Sequence, residues 1–185
     1  MVFQMSVRYT DSCGDTGSSS EREKKNLFHP DYHRRAVLDG SCRHNIWSMK
    51  HSVWGTVYIN GEKYSFDNAE GYWEGDRGQS FPKEYIWTQC SFPAGAFMLS
   101  VADIPMSGFH FRGIIGVVVL NGREYRLATY PGAKTAEIRN GLVRVIQGRL
   151  ELEAELLEKT GKPLKAPAKG QMVRIIHESA ACPEQ

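Results

Sequence analysis

The run from Gly71 to Cys90 holds two Trp, two Tyr, three carboxylates, an Arg and a Lys. Glu74 and Asp76 stand beside Tyr72 and Trp73, and Tyr85, Trp87 and Gln89 follow soon after Pro82. A connection between strands ordinarily needs Gly, Asn, Pro or Asp, not bulky rings next to paired acids. Acids beside aromatic rings are what proton donation to an apolar substrate requires. Shielding from water keeps the acid protonated, and a ring face can hold a developing cation. Glu74 is the first choice for the acid, with Asp76 beside it. The plainer alternative is a loop whose aromatics cap the end of a barrel, with Glu74 paired to Arg77 or Lys83. A guanidinium at position 77 would favour ionised carboxylates and so work against proton donation.

Alternation beyond Pro82 puts Tyr85, Trp87, Gln89 and Ser91 on one face and Ile86, Thr88, Cys90 and Phe92 on the other. The first face is large, aromatic and hydrogen-bonding. It suits a cavity for an amphipathic ring compound, with apolar walls and a few polar groups. The same residues could instead fill a barrel interior, with Gln89 satisfied by backbone. His44 and His51 are seven positions apart. A regular strand sets them on opposite faces unless a bulge intervenes, which argues against a shared metal, and none is expected. Either could orient a substrate hydroxyl, and either could simply bond to neighbouring backbone. Cys13, Cys42, Cys90 and Cys182 are far apart and form no Cys-x-x-Cys pair, so reduced thiols are expected. No nucleophile elbow, phosphate-binding loop or dinucleotide fingerprint is present. Gly75 to Gly78 reads as a turn rather than a phosphate cradle, because no helix follows it.

The spacing of Glu74, Asp76, Gly78, Phe81-Pro82-Lys83, Trp87 and Gln89-Cys90 resembles the tocopherol cyclase family and its bacterial relatives. The upstream run from Cys42 to Ser52, with His44 and His51, is similar as well. So are Met98 to Pro105, Phe111-Arg112-Gly113, Tyr125 to Lys134 and Lys165-Ala166-Pro167. The resemblance runs in register from about Cys42 to Ser179. One departure is Arg77, where the family usually has Trp. The resemblance implies a lipocalin-like β-barrel, curled or closed, and an intramolecular lyase of the isomerase class. Such a protein protonates the alkene of a prenylated phenol or hydroquinone, and the phenol oxygen captures the cation to give a chromanol. It implies Glu74 and Asp76 as catalytic groups, and Trp73, Arg77, Tyr85, Trp87, Gln89, His44 and His51 around the substrate. No cofactor is needed. The alternative is a non-catalytic barrel that binds a hydrophobic ligand. Family members have two related β-halves, of which this chain resembles the second. Self-association or a companion half-domain is therefore expected if the site lies between halves.

The elements that must position these residues are strands. Asn60-Gly61, Asn121-Gly122 and Asn140-Gly141 stand between β-prone runs, and Asn-Gly suits a type I′ turn. Val117 to Leu120 and Arg123 to Leu127 form the clearest hairpin, Trp54 to Ile59 and Lys63 to Phe66 another. Leu142 to Ile146 pairs with Lys134 to Arg139. In Arg149 to Leu156, propensity favours helix, yet Leu150, Leu152, Ala154 and Leu156 alternate with Glu151, Glu153 and Glu155. Period two places all the glutamates on one face, so the segment is predicted as a strand. Thr160 to Pro163 turns the chain, and Met172 to Ile176 is the last strand. Many short strands joined by tight turns imply an all-β antiparallel fold.

With 185 residues, one domain is expected, spanning 42–185, after a largely disordered N-terminal arm over 1–41. Residues 11–25 are Gly, Ser and charge, and are predicted to be disordered. The net charge of +2 is spread along the chain, which speaks against a nucleic-acid face. No run of about 18 apolar residues predicts a membrane span. No charged region followed by an apolar core opens the sequence, so a cytoplasmic protein is expected.

Overall fold

A computed structural model of the chain describes residues 2–9, 36–38, 42–106, 108–158 and 161–179. They form strands and turns, with no helix among them. The strands are β1 (Val2–Tyr9), β2 (Ala36–Leu38), β3 (Cys42–Ile59), β4 (Glu62–Gly78), β5 (Tyr85–Phe92), β6 (Gly95–Met106) and β7 (Phe109–Leu120). They continue as β8 (Arg123–Ala128), β9 (Lys134–Arg139), β10 (Leu142–Gln147), β11 (Leu150–Glu158), β12 (Lys162–Ala168) and β13 (Gln171–Glu178). Every described pairing is antiparallel. The expected disorder over 11–25 lies outside the described residues. Strands β1 and β2 fall within 1–41 and pair with β11 and β3.

The Asn-Gly pairs sit at hairpin tips as predicted. Asn60, Asn121 and Asn140 have φ of 51°, 50° and 51°, and the glycine after each is also positive. Both central residues of a type I′ turn need that conformation, which Asn and Gly adopt at little cost. The alternating Leu/Glu segment is strand β11. Period won over propensity because Leu152 and Ala154 are buried, against Val145 and Val143 of β10.

One core lies between two sheets. Phe97, Leu99 and Val101 of β6, with Ile114 and Val118 of β7 and Leu127 of β8, pack against Val143, Val145 and Leu152. The opposite face of β6 and β7 carries a second core, in which Ala96, Met98 and Val117 meet Ile46 and Met49 of β3. Strand β6 is covered on both faces, which explains its near-continuous apolar run.

No closed barrel is found, contrary to the barrel expectation. The described strands form four separate sheets, ordered β1-β11-β10-β9, β12-β13, β2-β3-β4 and β5-β6-β7-β8. At the β8 edge, where closure would need another strand, the Gln147 side chain intervenes. Its amide oxygen accepts from Ala128 N at 2.9 Å and its Nε2 donates to Arg126 O at 3.0 Å. Two further expectations are corrected. Gly75 to Gly78 is no turn but the end of β4, paired with Cys42 to Asn45. The segment after Gly161 is an edge strand, β12, which tolerates Pro163 and Pro167 because it has only one neighbour. Cys90 is disulfide-bonded, so the expectation of reduced thiols fails for it.

Candidate functional site

Strand β4 sorts its residues by alternation. Tyr72, Glu74 and Asp76 point one way, and Trp73 and Arg77 the other. Cross-strand register sets His44 opposite Asp76 and Cys42 opposite Gly78. The result is a polar cluster on one face of β3 and β4. His44 Nδ1 lies 2.8 Å from Asp76 Oδ1 and His44 Nε2 lies 3.5 Å from Glu74 Oε2. Tyr72 donates to the same Glu74 oxygen at 2.6 Å, and the Cys42 thiol lies 3.7 Å from Asp76 Oδ1. Across from them, the Trp87 ring packs on the His44 ring with centroids 4.0 Å apart.

Cys42, His44, Glu74 and Asp76 line one wall of a cavity of about 1120 Å³, with Tyr72 behind them. Tyr85, Trp87 and Gln89 of β5 line it; so do Ile86 and Thr88, which alternation sets on the other face, while Ser91 does not. Met98, Ala102 and Ile104 of β6, with Phe111 and Ile115 of β7, supply an apolar floor. The other side is closed by the β12–β13 hairpin, which brings Leu164, Arg174, Ile176 and Glu178. That hairpin is clasped to the connection between β4 and β5. Gly170 N bonds to Gln79 O at 2.7 Å and Phe81 N to Pro167 O at 3.3 Å. The Arg174 guanidinium donates to the carbonyls of Phe81, Pro82 and Lys83.

The surroundings of Glu74 act on its carboxyl in both directions, with a net upward shift. Burial pushes its carboxyl above the usual range; Tyr72 and His44 pull it down in part, and Asp76 and Glu178 add to the rise. The Tyr72 hydroxyl is pushed far above the ordinary phenol range, first by burial and then by its bond to Glu74. It therefore stays a donor at any working pH. Tyr85 is raised as well, by burial and then by Glu178, with Arg174 opposing.

Six of the expected site residues, His44, Glu74, Asp76, Tyr85, Trp87 and Gln89, share this cavity. Three lie elsewhere. Trp73 is 59% exposed and stacks on Trp47 with centroids 5.3 Å apart. His51 bonds to Ser48 Oγ at 3.0 Å. Its ring covers Gly71, where a Cβ would come within 2.5 Å of Nε2, so a side chain at 71 would displace it. Arg77 stands on the far face of β4, opposite Arg43, and makes no ion pair to Glu74 or Asp76. Its guanidinium thus has no direct hold on either acid. Arg77→Trp is expected to leave the Glu74 titration unmoved, as followed by its carboxyl infrared band.

Tyr72, Cys42, Arg174 and Glu178 were given no role from sequence. Tyr72 was within reach, because it stands two residues before Glu74 on one strand and so shares its face. Arg174 and Glu178 carried no local signal; only the hairpin clasp brings them in. Among the described residues, no group of three or more His, Cys, Asp or Glu is placed to hold a metal ion. His44 and Asp76 are turned on each other instead. No described helix is long and apolar enough to cross a membrane. The sequence matches no protein-family model, no curated protein and no solved structure.

Proposed function

We propose that this chain is a tocopherol-cyclase-like intramolecular lyase acting on a prenylated phenol or hydroquinone. The observation that carries the reading is Glu74, a carboxyl raised by burial, in a largely apolar cavity that the Trp87 ring also lines. An alkene is a poor base and needs a neutral acid next to it, kept from water. The acid proton bonds to the less substituted alkene carbon, and the π electrons form that C–H bond. The tertiary cation left behind is flanked by aromatic faces. A phenol oxygen lone pair then closes the C–O bond, and the phenol proton returns to the carboxylate. No group is consumed, and no redox partner is needed. Trp87, Tyr85 and Gln89 hold the ring end, and the floor of Ile104, Phe111 and Ile115 takes the tail.

The lipocalin-like relation belongs to the same proposal. One face of the β5–β8 sheet lines the cavity, as one wall of such a barrel would. The cavity does not depend on the proton, so its size equally favours a binding protein for an amphipathic ligand. The partner is in either case a hydrophobic or prenylated aromatic small molecule. Incubation with a series of prenylated phenols, followed by detection of chromanols, separates the two. Ring closure by the wild-type chain supports the enzyme. Saturable binding without any chromanol sinks it and leaves the binding module.

A further inference from the structure

Glu74 is not held symmetrically. Its Oε2 takes the Tyr72 hydroxyl at 2.6 Å and faces His44 Nε2 at 3.5 Å. Its Oε1 makes no hydrogen bond or ion pair to a described residue, and it is not among the polar atoms sealed from solvent. We infer that Tyr72 is a positioning residue that pins Oε2, so that Glu74 presents Oε1 to the cavity as the oxygen that gives and regains the proton. The inference rests on the acid role proposed for Glu74 and adds the control of its proton.

The chemistry follows from donor and acceptor capacity. The Tyr72 hydroxyl is a donor here, so it occupies a lone pair on Oε2 in both protonation states. Asp76 accepts from His44 Nδ1–H, which sets the imidazole orientation and turns Nε2 toward Oε2. Nε2 is buried and has no hydrogen-bond partner at ordinary geometry. Neither neighbour engages Oε1, so a proton there has access to a bound alkene. When it leaves, the charge develops on a carboxylate already bonded to Tyr72 and facing His44. When the phenol gives up its proton, the same oxygen takes it back.

The groups facing Glu74 are Tyr72 and Asp76 from its own strand, His44 and Cys42 from β3, Tyr85 from β5 and Glu178 from β13. Of these, Tyr72 donates the shortest bond. A hydrogen bond to the charged form favours that form, so its loss must raise the midpoint at which Glu74 ionises. The sign is opposite to what lost burial would give, since added water lowers a buried carboxyl.

The test is a pH titration of the protonated-carboxyl infrared band, assigned to Glu74 by its loss in Glu74→Gln. Tyr72→Phe keeps the ring in the second core and removes only the donor. Its midpoint is expected to rise by about one pH unit or more, as for a charge-assisted bond. An unmoved or lowered midpoint overturns the inference. Should Tyr72→Phe not fold, judged by circular dichroism, the wild-type chain made with fluorotyrosine serves. Its more acidic hydroxyl is a stronger donor and moves the midpoint down, whereas an unchanged midpoint overturns the inference. The band is read without substrate. Absence of chromanol from the wild-type chain defeats the enzyme reading alone, and an unmoved band defeats the positioning role alone. Where turnover is found, the falling limb of kcat/KM in Tyr72→Phe moves up in pH with the band.

Discussion

Glu74→Gln is expected to abolish ring closure of a prenylated hydroquinone while leaving its uptake close to wild type. Gln keeps the shape and still accepts from Tyr72, but it has no acidic proton to give. General acid catalysis contributes roughly 10²–10⁴-fold, and an alkene offers no easier route to the cation, so the upper end is expected. The pH dependence carries a definite sign. An acid works in its protonated form, so activity is present below the Glu74 midpoint and is lost as pH rises through it. Burial raises that midpoint, which places the falling limb above the range of an ordinary glutamate. Trp87→Ala should show the converse pattern, with weaker binding as the main loss. Single-turnover measurements together with binding titrations distinguish them. Retained turnover in Glu74→Gln would remove Glu74 from the role of acid.

The largest stability effect is expected at Phe97. Its side chain is only 1% exposed and sits in the core between the β5–β8 and β9–β11 layers. Phe97→Ala removes most of a ring from a site walled by two sheets that cannot both follow it inward. Such truncations cost about 3–5 kcal/mol, out of roughly 5–15 kcal/mol for a whole domain. Urea unfolding should show the midpoint falling with an unchanged slope. A loss under 1 kcal/mol would mean that the two layers close over the gap. The cavity lies on the opposite face of the β5–β8 sheet, so a folded Phe97→Ala chain should still take up ligand.

The strand pattern was readable from sequence because it is local. Asn-Gly pairs mark their own turns, and the Leu/Glu alternation of β11 outweighs a helical composition once one face is buried. Alternation also picked out Tyr85, Trp87 and Gln89 of β5, but it did not foresee that Ile86 and Thr88 line the cavity beside them. What failed was non-local. Gly75 to Gly78 reads as a turn only until its partner is known, because glycine in a strand carries no side chain to reveal pairing. Applying the same alternation one strand earlier would have set Arg77 apart from Glu74 and Asp76 and put Tyr72 with them. The absence of closure was not readable, since it is decided by which strands pair across the whole chain, not by any local signal. The β12–β13 wall was likewise hidden, because its clasp spans 89 residues between Ser80 and Lys169.

The distribution of the four tryptophans gives the molecule an optical readout. Trp47, Trp54 and Trp73 are 44%, 65% and 59% exposed and emit as indoles in water. Trp87 alone is set in the cavity, with the His44 imidazole against its ring. A ligand that displaces water there shifts this one component to the blue and leaves the other three where they are. Soluble iodide or acrylamide can silence the exposed three first. The remaining emission then reports occupancy of the cavity, by wavelength, in the unmodified protein.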